Sequence, residues 1–308
     1  MREKGSCDPG PCAFFDFDDT LVEGDSLLYW FRFYYGRKPW KRFFQLFNFM
    51  GLFLHAIRLV DAGTLKRIFF LPMSYENPAT LDRMAGEFVR EELVKYLYPN
   101  VLERLWTHHR LNHRIFVVSA SPVFYLRYIR EFLPQCSVII GTRFEFPQRG
   151  LLRLPKYQGS NVKGEQKIHE LSAHGEAPAS GAGCFGYSDH HSDRFLLEYT
   201  EFPCCVLPTS KLQRIADPNG WPSIRFTERH DPMKARLNKL CLLLFAWLPR
   251  SRVYPRSGVT DLIRGHTSRD VLHPHMEALR ERVLAKYSSE EHPAIFSRLF
   301  PKVDIEVE

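Results

Sequence analysis

A short apolar run that ends in a cluster of acidic residues constrains the fold more than any other feature of the sequence. Residues 12–15 (CAFF) are apolar, and Asp16, Asp18 and Asp19 follow within the next four positions. Such a run, bounded by polar residues, is typical of a strand buried on both faces. In open α/β sheets ligands bind beyond the carboxyl ends of the strands. The acidic cluster is therefore predicted to lie where such a protein carries its chemistry.

The remaining pattern alternates short apolar runs with helical spacing. Further strands are predicted at 115–118, 138–140, 184–187 and 203–207. Strands alternating with helices favour a parallel sheet with helices on both faces. We therefore expect an α/β fold with a Rossmann-like core.

A long helical stretch interrupts this alternation directly after the first strand. Residues 25–111 have helical spacing, and Asn77-Pro78 is a helix-start signal with Leu81, Met84 and Phe88 at helical intervals behind it. Shorter helices are predicted from Pro122 to about Leu133 and from Gly164 to about His174, and a hairpin over 143–154 with its turn at 148–150. The long stretch is therefore predicted to be a helical insertion.

The predicted strand ends carry the groups that phosphoryl transfer requires. They are Asp16 and Asp18, Ser119, Lys167 or Lys163, and Asp189 with Asp193. Carboxylates on successive strand ends can hold Mg2+, which prefers oxygen ligands. One aspartate can act as nucleophile, and a second can donate and accept the proton.

These segments resemble the haloacid-dehalogenase-like phosphatase superfamily, in particular its phosphoserine-phosphatase-like branch (subfamily IB). The matching stretches are 16–22 (DFDDTLV), 117–121 (VVSAS), 164–167 (GEQK) and 187–193 (YSDHHSD). The resemblance implies a Mg2+-dependent phosphatase that works through an aspartyl-phosphate, with a helical cap inserted after the first motif.

The resemblance also implies a role for each matching residue. Asp16 would be the nucleophile, Asp18 the general acid and base, Ser119 a phosphate ligand and Lys167 its counter-charge. The metal would be held by Asp16, the main-chain carbonyl of Asp18, and Asp189. Asp193 would lie near the metal or the lysine without binding the metal directly. Substrate contacts are expected from Thr20, Asp25, Ala120 and Ser192.

Several of these assignments have alternatives. Lys163 aligns almost as well as Lys167, which is preferred because Ile168 and Leu171 give its helix an apolar face. Asp193 could instead cap the helix that follows it. Asp25 and Ser192 depart from the glutamate and asparagine of phosphoserine phosphatases, so phosphoserine itself is a doubtful substrate.

The resemblance divides the chain into three parts. Residues 12–24 and 108–228 are expected to form the catalytic core, 25–107 the helical cap, and 229–308 a C-terminal extension. Membrane association is one interpretation of this extension. A helix is predicted over 271–286, and no function is assigned to residues 257–308.

Two basic and aromatic segments concentrate the positive charge of the chain. The net charge is +7, but 32–58 and 234–256 together carry twelve positive charges and no negative ones, which leaves −5 for the other residues. On a helical wheel Gln45, Asn48, His55 and Arg58 share one side, which leaves a broad apolar face. This face, and the apolar run 240–248, either pack against the protein or lie on an anionic membrane surface. The aromatic residues are clustered and no binding motif is present, so nucleic acid is not an expected partner.

These observations leave the substrate open. A phospholipid head-group phosphate, such as phosphatidylglycerophosphate, competes with a soluble metabolite such as histidinol phosphate or a phosphoserine-like molecule. An inactive fold serving as a membrane-bound interaction module is an alternative of another class. With seven cysteines, no CxxC pair and no signal peptide, the expected location is the cytoplasm. Peripheral attachment to the inner face of the membrane stays open.

Overall fold

The computed structural model describes residues 11–133, 136–150, 153–175, 177–178, 180–225 and 305–306. The sheet strands are β1 (Cys12–Phe15), β2 (Arg114–Pro122), β3 (Cys136–Thr142), β6 (Phe185–Ser188), β7 (Phe202–Val206), β8 (Ser223–Arg225) and β9 (Ile305–Glu306). A separate hairpin pairs β4 (Phe144–Glu145) with β5 (Lys156–Tyr157). The predicted helix over 271–286 and the apolar run 240–248 lie outside the described residues.

The seven-stranded sheet has the order β3-β2-β1-β6-β7-β8-β9, and every pairing in it is parallel. β1 lies between β2 and β6, with Ala13 in register with Ile115 and Phe185. All four residues of β1 are fully buried, as the continuous apolar run requires for a strand covered on both faces. The predicted α/β fold with a parallel sheet is therefore confirmed.

Five α-helices lie between β1 and β2 and form the insertion. They are α1 (Ser26–Arg37), α2 (Gln45–Ala56), α3 (Ala62–Phe69), α4 (Pro78–Glu91) and α5 (Pro99–Arg110), with 3-10 helices at Pro39–Phe44, Leu71–Tyr75 and Leu93–Tyr96. α4 begins as predicted, because the Asn77 side chain accepts a hydrogen bond from the Ala79 N–H and Pro78 occupies the first turn. None of the helices in the described part of the chain is long and apolar enough to cross a membrane.

The later helices cover the sheet. They are α6 (Val123–Leu126), α7 (Gln166–His174), α8 (Arg194–Tyr199) and α9 (Ser210–Asn219). The prediction of one helix from Pro122 to about Leu133 is wrong, since α6 gives way to a 3-10 helix over Arg127–Glu131. The predicted hairpin also ends later than expected, because its second strand is Lys156–Tyr157.

The orientation of α2 differs from that of an ordinary amphipathic helix. Its buried residues are Gln45, Asn48 and Gly51, while five of its large apolar side chains are exposed: Leu46, Phe47, Phe49, Met50 and Phe53. Two of the four residues predicted to share a polar side, Gln45 and Asn48, therefore face the protein rather than water.

Candidate active site

The acidic cluster after β1 lies at the carboxyl edge of the sheet, and its first aspartate is fixed there by the main chain. The N–H of Asp16 donates to the carbonyl of Tyr187 at 2.9 Å, which extends the β1–β6 pairing by one residue. The Asp16 side chain is buried, and its Oδ1 accepts a 2.7 Å hydrogen bond from Lys167 Nζ. The end of β1 therefore places a carboxylate against the first turn of α7.

Lys167 joins two carboxylates in the interior. Its Nζ lies 2.7 Å from Asp16 Oδ1 and 2.6 Å from Asp193 Oδ2, and only 2% of its side chain is exposed. Burial alone would lower the pKa of Lys167, but the two carboxylates outweigh burial and raise that pKa above its usual value. The alternative lysine, Lys163, is exposed. The structure therefore brings Lys167, and not Lys163, to Asp16.

Two further aspartates come from the loop after β6. Asp193 Oδ2 also accepts a 2.8 Å hydrogen bond from Ser188 Oγ, whereas its side chain makes no capping bond to α8. The alternative of a simple helix cap is therefore wrong for this side chain. Asp189 is buried and accepts a 3.5 Å hydrogen bond from the Thr20 hydroxyl.

Buried negative charge exceeds positive charge around Lys167. Burial raises the pKa of Asp16 well above its usual value; Lys167 lowers it, and the neighbouring Asp193 and Asp189 raise it further. Burial would also raise the pKa of Asp193, but Lys167 brings it below its usual value. A second cation beside Asp16 would therefore stabilise its ionised form.

Asp18 has different partners although it lies only two residues from Asp16. Its Oδ1 accepts a 2.8 Å hydrogen bond from the Ser26 N–H at the start of α1, and its Oδ2 accepts one from the Ser121 hydroxyl. The Ser26 hydroxyl lies 2.9 Å from both Ser121 Oγ and the Tyr125 hydroxyl. Burial, followed by repulsion from Asp25, raises the pKa of Asp18 to about 6. This carboxyl group can therefore exchange a proton near neutral pH.

The carboxyl end of β2 provides polar groups at the same edge of the sheet. Ser119 is almost fully buried, and its Oγ accepts a 2.9 Å hydrogen bond from the Ser121 N–H. The Ala120 carbonyl accepts a 2.7 Å hydrogen bond from the Thr142 hydroxyl of β3. These bonds hold the backbone of 119–121 in one conformation.

The four residues predicted to contact substrate occupy different parts of this edge. Thr20 is bonded to Asp189, as described above, and Ala120 lies at the end of β2. Asp25 caps α1 by accepting a 3.1 Å hydrogen bond from the Leu27 N–H. Ser192 Oγ lies 2.9 Å from His190 Nδ1 and donates to Asp193 at 3.3 Å.

Lys66 is a residue of this region that the sequence did not reveal. It extends from α3, and its Nζ donates to the Ala120 carbonyl at 2.8 Å and to Asn161 Oδ1 at 3.1 Å. Burial lowers the pKa of Lys66 to about 8, against the opposing effect of Asp25 and Asp18. Nothing distinguishes this lysine in sequence from a solvated helical lysine, because its partners are 54 and 95 residues away.

The oxygen donors at this edge fit a hard divalent cation. The Asp16 and Asp189 carboxylates and the Asp18 carbonyl are ligands of the kind that Mg2+ prefers. Within the described ranges no group of three or more His, Cys, Asp or Glu side chains is disposed to hold a metal ion. The expected set contains only two such side chains and is completed by a main-chain oxygen. Because buried negative charge is in excess here, the residues present fit Mg2+.

The fold and the site define a hydrolase of the haloacid dehalogenase type. The family model described as haloacid dehalogenase-like hydrolase matches residues 13–198, which is more than half of the chain. The chain therefore belongs to this family, as its resemblance indicated.

Three similar proteins extend this comparison. An "inhibition of morphological differentiation protein" of Streptomyces azureus is 24% identical over 233 residues, covering 74% of this chain and 82% of that protein. A Bordetella pertussis Tohama I protein of unknown function is similar in structure, with a TM-score of 0.57 and 22% identity over 70% of this chain and 98% of that one. A probable phosphoserine phosphatase of Vibrio cholerae has a TM-score of 0.50 and 13% identity, covering 77% of this chain and 67% of that one. These structural likenesses confirm the fold expected from the phosphoserine-phosphatase-like branch.

Proposed function

We propose that this protein is a Mg2+-dependent phosphomonoester hydrolase in which Asp16 is the nucleophile. The observation that carries the proposal is the difference between two aspartates at the end of β1. Asp16 contacts the buried ammonium of Lys167, whereas Asp18 is bonded to the Ser26 N–H and the Ser121 hydroxyl. Two carboxyl groups in such different environments are suited to different steps of one reaction.

In the first step an oxygen of Asp16 attacks phosphorus and the bond from phosphorus to the leaving oxygen breaks. Asp18 gives its proton to that oxygen. In the second step Asp18 takes a proton from water, the water oxygen bonds to phosphorus, and the bond from phosphorus to Asp16 breaks. Inorganic phosphate leaves, and both aspartates return to their starting state.

The other residues bind and orient the phosphate group. Ser119 and the main chain at Ala120 would bind phosphoryl oxygens, and Lys167 would keep Asp16 ionised and offset phosphate charge. Mg2+, held by Asp16, the Asp18 carbonyl and Asp189, would supply positive charge that draws the phosphate to a carboxylate nucleophile. Asp193 would act through Lys167, to which it is bonded at 2.6 Å.

The substrate we propose is a phosphomonoester whose leaving group lies beneath the helical insertion. Lys66 and Asp25 border that side and would contact the leaving group, with Thr20 and Ser192 nearer the metal. The exposed apolar side chains of α2 favour a phospholipid head-group phosphate over a soluble metabolite.

The test is hydrolysis of p-nitrophenyl phosphate by the wild-type protein and Asp16→Asn in the presence of Mg2+. We expect turnover that EDTA abolishes and that Asp16→Asn lowers by at least about a thousandfold, because the amide cannot form the phosphoenzyme. A panel of phosphorylated metabolites and phospholipids would then rank substrates.

Asp19→Asn is the matched control. The Asp19 carboxylate accepts a 2.9 Å hydrogen bond from the Gly24 N–H and the residue has a φ of 54°, both of which asparagine tolerates. Unchanged turnover in Asp16→Asn would rule out the proposed nucleophile. Absence of metal-dependent turnover on every phosphate in the panel would favour an inactive fold that serves as an interaction module.

A further inference from the structure

The helix α2 presents most of its large apolar side chains to solvent and its polar residues Gln45 and Asn48 to the protein. Every large hydrophobic residue that is exposed in the described part of the chain falls within residues 40–59. They are Trp40, Phe43, Leu46, Phe47, Phe49, Met50, Phe53, Ile57 and Leu59, with exposed fractions between 42% and 70%. We call these nine side chains the α2 face. A monomeric soluble protein rarely exposes so many contiguous apolar groups unless a partner covers them.

Packing against α3 fixes this orientation. A Cβ added at Gly51 would lie 3.1 Å from the Ile68 side chain and 3.2 Å from Leu65, so α2 approaches α3 closely through a residue without a side chain. Gln45 and Asn48 are buried on the same side. Turning the α2 face inward would place bulky side chains where α3 leaves room only for glycine. The exposure is therefore a property of how the insertion packs.

The charged residues within the segment that carries the α2 face are all positive, and the first acidic residue after it is the exposed Asp61, which caps α3. No Asp or Glu occurs between residues 26 and 60, and α2 itself contains no charged residue. Arg42 and Arg58 are exposed at its two ends, and neither has an ion-pair partner among the described residues. Lys38 Nζ lies 5.3 Å from the centre of the Trp40 ring and is also paired with Glu76 at 3.4 Å, so in the described part of the chain the unpaired cations of this rim are Arg42 and Arg58. Apolar side chains rimmed by cations, with a tryptophan at the edge, match an anionic lipid surface.

The same charges disfavour a second copy of the chain as the partner. A twofold interface through the α2 face would bring the Arg42 and Arg58 of each copy close to those of the other while removing them from water. A bilayer with acidic head groups instead places negative charge at the rim and hydrocarbon at the centre.

The α2 face is connected to the candidate active site through α3. α2 packs on α3 through Gly51, and α3 carries Lys66, whose Nζ reaches the Ala120 carbonyl at the end of β2. A partner surface bound by α2 would therefore contact the insertion, and the insertion borders the side of the site where the leaving group is proposed to bind.

We propose that the α2 face docks on a membrane surface that contains anionic phospholipids, with Leu46, Met50 and Phe53 entering the apolar boundary and Arg42 and Arg58 contacting head groups. This docking holds the insertion at the bilayer surface. It does not depend on the proposed hydrolysis, since it uses none of the residues at the sheet edge.

The test is flotation of the full chain with vesicles of phosphatidylcholine containing about a third phosphatidylglycerol, at low ionic strength. We expect binding that weakens at least tenfold with pure phosphatidylcholine or in high salt. The triple variant Leu46→Gln, Met50→Gln, Phe53→Gln should lose at least tenfold in affinity. Its matched control, Leu46→Met, Met50→Leu, Phe53→Leu, keeps the apolar character and should bind like the wild type.

Charge is tested in the same way. Arg42→Gln with Arg58→Gln should weaken binding to anionic vesicles, whereas Arg83→Gln, an exposed arginine of α4, should not. The Asp16→Asn protein should bind as the wild type does, so loss of catalysis and loss of docking are separate outcomes. Wild-type protein that stays unbound with anionic vesicles at low salt, or a glutamine triple variant that binds fully, would overturn the proposal.

Two other occupants of the α2 face give distinct results. Met50→Cys should react with a soluble maleimide in the absence of vesicles and be protected by anionic vesicles. Protection of the monomer without vesicles would show that another segment of the chain covers this position. A wild-type dimer that the glutamine triple variant converts to monomer, without vesicle binding, would make the face an interface between copies. Either result contradicts membrane docking.

Discussion

At the scale of single residues, identical side chains acquire different chemistry from the elements that surround them. Asp16 and Asp18 are two positions apart, yet one contacts an ammonium from α7 and the other contacts a main-chain N–H and a hydroxyl group. The chain leaves the strand after Asp16, which separates the two carboxylates into distinct environments. Burial raises the pKa of both; a hydrogen-bonded lysine opposes that effect at Asp16, whereas hydrogen bonds from Ser121 and Ser26 oppose it at Asp18.

The first prediction concerns the proton-transfer role of Asp18. Asp18→Asn should lower turnover of p-nitrophenyl phosphate by roughly 10²–10⁴-fold, because the amide cannot protonate the leaving oxygen or activate water. Its affinity for Mg2+ should stay within about threefold of wild type, since its proposed ligand is the main-chain carbonyl. Calorimetric titration of Mg2+ beside steady-state kinetics measures both effects. Loss of metal affinity in proportion to turnover would contradict this division of roles.

Residues of the candidate site could be predicted from the sequence where they end or directly follow a predicted strand. Asp16, Ser119 and Asp189 each end an apolar run, so a parallel sheet necessarily brings them to one edge. Lys66 and Thr142 were not predictable in the same way. Each reaches the site from an element whose position depends on tertiary packing, and neither carries a local pattern that separates it from an ordinary polar residue.

At the scale of elements, the close approach of β3 to the end of β2 supports the candidate phosphate site. A Cβ added at Gly141 would lie 2.6 Å from the Ser121 carbonyl oxygen and 3.0 Å from a Val123 methyl group. The first of these contacts is with main chain, which cannot move aside as a flexible side chain can. The Ser121 hydroxyl also donates a hydrogen bond to Asp18, so displacement of this segment would move the side chain proposed as general acid and base.

We therefore predict that Gly141→Ala lowers the free energy of unfolding by about 1–3 kcal/mol. Turnover should fall by about tenfold or more, because the segment 119–121 shifts against Asp18. Urea denaturation and p-nitrophenyl phosphate kinetics measure the two effects. Gly36→Ala in α1 is the control: no atom lies within 4 Å of its added Cβ, so it should be neutral or stabilise by up to about 1 kcal/mol. A Gly141→Ala protein with wild-type stability and turnover would show that the strands separate without consequence.

Within the insertion, sequence periodicity predicts that a helix forms but not which side of that helix is buried. The apolar spacing of α4 correctly predicted a helix, and the residues that carry this spacing, Leu81, Met84 and Phe88, are buried. The same reasoning applied to α2 identified a broad apolar face but left open whether that face is buried. Periodicity shows that a helix has two different sides. Which side faces the protein depends on how the helix packs against α3, and within α2 the residue that indicates this close packing is Gly51.

At the scale of the whole molecule, a buried histidine connects the insertion to the sheet. His108 lies near the end of α5 and is fully buried; its Nε2 is 2.8 Å from the Tyr187 hydroxyl of β6 and its Nδ1 is 2.9 Å from His113 Nδ1. The ring also packs edge-on against Phe185. Burial, with smaller contributions from His113 and Arg104, lowers the pKa of His108 well below its usual value.

This histidine should make the stability of the entire fold sensitive to acid. Below about pH 6.5 the unfolded chain binds a proton at His108, whereas the folded chain does not. The stability that the neutral His108 contributes is therefore complete above that pH and is lost as the pH falls. The slope contributed approaches about 1.4 kcal/mol per pH unit. We predict that His108→Gln reduces the slope of unfolding free energy against pH between 6.5 and 5, measured by urea denaturation at each pH. His109→Gln, on the exposed side of the same helix, should keep the wild-type slope. If His108→Gln retains that slope as well, the acid sensitivity of the fold arises elsewhere than at the contact between α5 and the sheet.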